Sequence, residues 1–184
     1  MPDRVDAEAD EALVAAFLDG DRGAFDALYA RWAPRITGYA RRMLGRQEDA
    51  EEVCVETFTR VVEGRWRASG AFRAWLFTVA HRLCLERLRR RTLTARVLSL
   101  FGAAPAPAPE GPEGALLQDE RAAHLERAVA ALPHRHRATL LLVSSQGLSA
   151  REAGEVLGLS DQQIRSQLSY ARRLLREQLG EEEP

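Results

Sequence analysis

The stretch 148–176, LSAREAGEVLGLSDQQIRSQLSYARRLLR, decides how this chain is read. Ser149 can cap a short helix that carries Ala153, Val156 and Leu157 on one face. Gly158 then supplies the left-handed position that ends a helix at no Cβ penalty. Ser160 can cap a second helix, in which Ile164, Leu168, Ala171 and Leu175 fall at i, i+4, i+7 and i+11 and form one apolar stripe. Two short amphipathic helices about a glycine turn make a helix-turn-helix, the unit that lays its second helix in a DNA major groove. The same pattern also builds plain helical hairpins, so the surrounding chain has to discriminate.

Upstream, Pro133 suits the start of a helix, because the first helical position needs no intrahelical N–H; that helix is expected to end at Gly147. Leu125, Val129 and Leu132 stand at i, i+4 and i+7 in the segment before it. Earlier still, 102–114 reads GAAPAPAPEGPEG, with four prolines and three glycines. Such a stretch cannot form a packed element and reads as a tether that fixes no geometry between its flanks.

The first hundred residues read as further helices. Asp10–Leu18 is amphipathic. Asp21 can cap the next helix, carrying Phe25, Leu28, Tyr29 and Trp32, which Pro34 is expected to kink or restart; Ile36, Tyr39, Ala40, Met43 and Leu44 continue it to Gly45. Ala50, Val53, Cys54, Thr57, Phe58, Val61 and Val62 form one stripe over about 48–63. A fourth helix, about 71–91, carries Phe72, Trp75, Leu76, Val79 and Leu83 on one side. No segment alternates with period two, so no sheet is expected. The expected fold is all-α: small helical domains at 1–98 and 116–180, a flexible Pro/Ala/Gly linker at 99–115, an acidic tail at 181–184, and the helix-turn-helix in the second domain.

Composition narrows the function. The chain has 184 residues, 46% of them hydrophobic, as a folded core requires. Its 26 basic residues are all Arg and face 27 acids, for a net charge of −1, so the chain as a whole is no general polycation. The charge is uneven, however. Arg82, Arg87, Arg89, Arg90, Arg91 and Arg96 lie in one stretch whose only acid is Glu86, which is either a solvated face or a contact for phosphates. With Cys54 and Cys84 far apart and neither a signal peptide nor a run of about 18 apolar residues, a soluble cytoplasmic protein with reduced thiols is expected. An enzyme would need a nucleophile–base pair, and none is apparent. His81 and Cys84 at i, i+3 with Cys54 nearby offer three zinc ligands without a fourth, and His134 and His136 fall in the other domain. No catalytic residue, metal, cofactor or small-molecule substrate is therefore expected.

Several segments in one order are more specific than any alone. DRGAFDALYARWAPRITGYARRMLG at 21–45, EDAEEVCVETFTRV at 48–61, FRAWLFTVAHRLCLERLRRR at 72–91 and ALPHRHRATLLLVSSQGLSAREAGEVLGLSDQQIRSQLSYARRLLREQL at 131–179 resemble, in order, segments of the extracytoplasmic-function (ECF) sigma factors of the sigma-70 family. The resemblance implies a chain that binds core RNA polymerase and directs transcription from specific promoters. It implies that the first domain docks on polymerase and melts and reads the −10 element, and that the second reads the −35 element. It further implies an anti-sigma factor wedged between the two domains, although the sequence identifies none.

The resemblance also assigns residues. Ser160, Asp161, Gln162, Gln163, Arg165, Ser166, Gln167 and Arg172 on the recognition helix would face the −35 element; Gln can pair with adenine and Arg with guanine. Trp66 and Arg67, on a loop at about 64–71 expected to hold a flipped −10 base, would join Arg82, Arg87, Arg89, Arg90 and Arg91 on promoter DNA, with aromatic faces for bases and cations for phosphates. Phe72 and Trp75 fit the buried stripe instead. Glu48, Glu51, Glu52, Val55, Glu56 and Arg60 would face polymerase; an acidic surface suits a protein partner and repels DNA. Six departures stand out. Val55 replaces the family's usual Gln, Arg82 an Asn and Glu86 an Asp; Gln167 and Tyr170 occupy positions that are often basic; and Gly154 replaces an Ala. They suggest an altered −10 preference and weak −35 binding outside the polymerase complex. They also motivate an alternative, a sigma-like regulator that binds polymerase or another partner without initiating. An ordinary repressor would instead bind duplex tightly by itself, usually as a dimer.

Overall fold

The computed structural model describes residues 3–66, 71–100 and 120–180. Arg67, the Pro/Ala/Gly stretch and the acidic tail lie outside the described residues. The elements are α1 (Asp3–Leu18), α2 (Arg22–Leu44), α3 (Gln47–Val62), α4 (Phe72–Leu100), α5 (Glu120–Ala131), α6 (His134–Leu140) with a π-helical turn at Leu141–Ser145, α7 (Ala150–Leu157) and α8 (Asp161–Leu179). The fold is all-α, with no strand among the described residues.

Helix α2 is the axis of the first half, packed by α1, α3 and α4. Asp21 caps it, accepting from the Gly23 and Ala24 amides, and Gly45 ends it at φ 78°. It runs unbroken through Pro34 rather than restarting there. A proline inside a helix costs about 3 kcal/mol. Leu28, Trp32, Ile36 and Tyr39 are all at most 2% exposed on both sides of it, and each contributes about 1.5–3 kcal/mol of burial, which outweighs the break. Helix α1 is tied on by a buried carboxylate: Asp10 accepts from Trp32 Nε1 at 3.1 Å and from Arg31 Nη1 at 2.7 Å. Not every apolar stripe position is covered. Tyr29 and Val62 on α2 and α3, and Leu125 on α5, remain exposed; the stripes are wider than the faces their neighbours can cover. Helix α4 outlasts the expected 71–91 because no Gly or Pro interrupts it before Leu100.

One polar pair sits inside this core. The Tyr39 hydroxyl and His81 Nδ1 share a hydrogen bond of 2.8 Å, so His81 faces a phenol. Burial, helped by the charge of Arg82, lowers the His81 pKa to about 4; burial likewise raises the Cys84 thiol to about 12. His81 is thus neutral in the folded chain, while an unfolded histidine titrates near 6.5. Its contribution to stability should be complete above pH 6.5 and should be lost as pH falls from 6.5 through 4, because only the unfolded chain takes up the proton in that window. Urea midpoints between pH 4 and 8 check this; His81→Gln should flatten that part of the curve, and an unchanged slope refutes the assignment.

In the second half, α8 packs on α5, α6 and α7 and buries Ile164, Ala171 and Leu175. The two halves do not merely trail from a tether: α4 packs on α7, and α2 on α5 and α6. Arg137 of α6, 8% exposed, donates to Val129 O at 3.2 Å, Leu132 O at 3.0 Å and Ala130 O at the end of α5, and to Met43 O at 3.1 Å at the end of α2. A cation placed on two helix C-termini meets the negative end of both dipoles. Burial lowers its pKa, yet a guanidinium stays charged in proteins.

Candidate nucleic-acid interface

The helix-turn-helix is built by two reciprocal caps. Ser149 accepts from the Glu152 amide at 3.2 Å, and Glu152 returns a carboxylate to the Ser149 amide at 2.9 Å. Ser160 and Gln163 repeat the arrangement at the start of α8, at 3.2 and 2.8 Å. Each box satisfies amides that a helix start leaves orphaned. Gly158 turns the chain at φ 68°. The crossing is tight enough that a Cβ on Gly154 would stand 2.5 Å from the Leu159 carbonyl oxygen.

On α8, Gln162, Gln163, Arg165 and Ser166 are exposed, and Asp161 is half-buried. Gln163 spends its carbonyl on the cap, so only its amide NH2 is left for a base. Arg165 is paired with Asp161 one turn back. Gln167 is half-buried and bonds Thr139 at 2.9 Å, which holds it against α6. Arg172 reaches Ser144 Oγ at 3.5 Å. Tyr170, where a cation is usual, lies 4.7 Å from the His136 ring and under Arg173 at 5.0 Å.

In the first half, Trp66 is half-buried and meets Phe72 edge-on at 5.9 Å; Phe72 stacks on Trp75 at 6.1 Å. Phe72 is 1% exposed and belongs to the core, while Trp75 is half-buried. The arginines of α4 divide. Arg87 turns to α3 and pairs with Glu56 at 2.5 Å and Glu52 at 3.3 Å. Arg91 pairs with Asp49 and donates to Leu44 O at 2.7 Å. Arg82, Arg89 and Arg96 are exposed and, spaced by seven, share one face; Arg90, also exposed, pairs with Glu86. Spacing along one helix could not divide them, because the acids that take Arg87 and Arg91 come from α3.

On α3, Glu48, Glu51, Glu52, Val55 and Glu56 are exposed and Arg60 is half-buried. Val55 and Glu51 also line a groove of about 550 Å3 between α2 and α3, with Tyr29, Ala30, Ala33, Pro34, Thr37 and Cys54. The α2 side of that groove was not legible in sequence, where Tyr29 counts as core. Among the described residues no group of three His, Cys, Asp or Glu side chains could hold a metal, and no helix is long and apolar enough to cross a membrane.

Comparison with known proteins agrees with this layout. A family model described as Sigma-70 region 2 matches residues 28–94, and one described as Sigma-70, region 4 matches 128–177. The chain is 33% identical over 181 residues to ECF RNA polymerase sigma factor SigE of Mycolicibacterium smegmatis, spanning 94% of this chain and 70% of that one. It is 33% identical over 169 residues to RNA polymerase sigma factor CarQ of Myxococcus xanthus, covering 90% and 94%. Among solved structures, CnrH in complex with the cytosolic domain of CnrY superposes with a TM-score of 0.69 at 25% identity, over 95% of this chain and 99% of that one. Sigma factor RpoE in complex with the anti-sigma factor NepR, from Bartonella quintana, gives 0.73 at 20% identity over 86% and 98%. With both sigma-70 regions matched in order, and with relatives of this identity aligned over most of their own length, the chain belongs to the ECF RNA polymerase sigma factors of the sigma-70 family.

Proposed function

We propose that this chain binds core RNA polymerase in the cytoplasm and directs transcription initiation at specific promoters, with 1–98 docking on polymerase and opening the −10 element and 116–180 reading the −35 element. The observation that carries this is one chain holding two capped helices around Gly158 together with an aromatic and arginine-bearing α4. Polymerase would meet Glu48, Glu51, Val55 and the α2–α3 groove, Glu52 and Glu56 being shared with Arg87. Promoter strand would meet Trp66 and the outward stripe Arg82, Arg89 and Arg96. The −35 duplex would meet Gln162, the Gln163 amide, Arg165 and Ser166. Because a sigma factor similar in fold is held by the anti-sigma factor NepR, an anti-sigma factor belongs among the proposed partners. Membership of that family supports reading the chain as a transcription initiation factor rather than an enzyme.

Run-off transcription with core polymerase over genomic fragments tests the proposal; core binding without any start site overturns it in favour of the non-initiating regulator. A second measurement tests the stripe. Replacing Arg82 and Arg89 with Ala should flatten the log–log salt dependence of promoter binding by the holoenzyme by about 1.4–1.8 units, near 0.7–0.9 per phosphate contact. Arg87→Ala should change it less, since Glu52 and Glu56 already hold that guanidinium.

A further inference from the structure

The start of α8 fixes which end of an amide a base would meet. The Ser160 N–H can only donate, and the atom 2.8 Å from it is Gln163 Oε1. Chemistry therefore sets the orientation of the Gln163 amide: its carbonyl belongs to the cap and its NH2 is the end left over. The Ser160 hydroxyl completes the box by accepting from the Gln163 backbone N–H at 3.2 Å. Gln163 is exposed, so that NH2 stands on the surface a duplex would meet. Farther along, Gln167 is held against Thr139 Oγ1 at 2.9 Å. Arg165, 73% exposed along its side chain, carries donors only, and Asp161 one turn back gives it a carboxylate oxygen, an i, i+4 pair that steadies the guanidinium along the helix. Gln163 and Arg165 thus both offer hydrogens to a base edge and neither offers a lone pair.

Base edges in the major groove divide by the same chemistry. Reading adenine bidentately takes a carbonyl for N6–H2 and an NH2 for N7, and Gln163 has only the second. An NH2 set against adenine N6–H2 or cytosine N4–H2 puts donor against donor. Guanine presents two acceptors, N7 and O6, and no donor on that edge. Turning the Gln163 carbonyl out to a base would leave the Ser160 N–H without its partner inside an interface, and an unmet donor out of water is costly.

We infer that Gln163 is a specificity-determining residue that reads guanine through its NH2 alone, because the Ser160 cap holds its carbonyl. This rests on the proposed reading of the −35 element by the second half. The hydrogen bond that starts the helix thereby also selects the base: the pairing with adenine that a free Gln makes is closed to this one.

Sequencing the promoters that holoenzyme retains from a pool randomised over the −35 element, with the −10 element constant, tests it. One position should prefer guanine by about tenfold, the size of effect a single mismatched pair produces, and it should be the position that changes in Gln163→Glu. Glu closes a capping box as Gln does, and Glu152 does so at the start of α7, so circular dichroism should stay helical. The carboxylate, however, is an acceptor, and the preference on the same strand should turn to cytosine, whose N4–H2 donates. Gln163→Ala should lose the guanine preference without gaining cytosine. Adenine, or any base but guanine, preferred by the wild type at the position that changes overturns the proposal. So does a Gln163→Glu variant that keeps every wild-type preference, or that loses guanine without turning to cytosine. Selection by the wild type nowhere in the −35 element would instead overturn the −35 reading itself, and this proposal with it.

Discussion

Replacing Arg137 with Met should cost the folded chain about 3–5 kcal/mol, because each buried carbonyl left without a donor costs about 1–3 kcal/mol and some of the four regain water. Met keeps an unbranched apolar stem but lacks the guanidinium, so the loss is chiefly one of hydrogen bonds. Arg137 closes the C-terminus of α5 through Val129, Ala130 and Leu132 and that of α2 through Met43. Urea unfolding of the two proteins at neutral pH measures the difference. Arg137→Lys should recover only part of it, since an ammonium is a point donor and cannot present a planar fork to carbonyls on two helices. Equal stability of Arg137→Met and wild type would show that these carbonyls are satisfied some other way. Because one of the four lies in the first half, the second half should also dock less tightly.

Gly154→Ala should destabilise the second half by about 2–3 kcal/mol, against the rule that Ala stabilises a helix by about 1 kcal/mol over Gly. The new methyl would stand 2.5 Å from the Leu159 carbonyl oxygen, a backbone atom that cannot rotate away. The Leu159 amide is itself bonded to Gly154 O at 2.9 Å, so the turn has to open to make room; overpacking of this kind costs about 1–3 kcal/mol, occasionally more. Opening the turn tilts α8 relative to α7, and transcription from a −35-dependent promoter should drop more than tenfold. Thermal or urea unfolding and run-off transcription check the two effects together. A variant more stable than wild type would show that the turn yields readily.

Much of the fold was legible because it is local. Asp21, Ser149 and Ser160 are caps in sequence and in structure, and Gly45, Gly158 and the stripes of α2, α3 and α8 follow from 3.6-residue periodicity and from φ > 0 at glycine. What was not legible is pairwise and distant. Pro34 leaves α2 intact because burial on both sides overrides a local break. Tyr29, Val62 and Leu125 fit an apolar pattern yet remain exposed. The candidate site divides the same way. The exposed α8 residues follow from the helical register, whereas Arg87 and Arg91 are turned from DNA candidates into partners of α3 acids 31 to 42 residues away.

The sequence by itself determined that this chain is helical, that it carries a capped helix-turn-helix, and that it has the ordered segments of an ECF sigma factor, because capping, periodicity and motif order are properties of neighbouring residues. Only the tertiary structure decided that Arg73 meets Glu152 across 79 residues and that Arg137 holds two helix ends. It also decided that the arginines of α4 divide between an outward stripe and a pair turned to the acids of α3. Those are choices of partner, and a charged side chain takes whichever opposite charge or carbonyl the packing of apolar faces brings within hydrogen-bond reach.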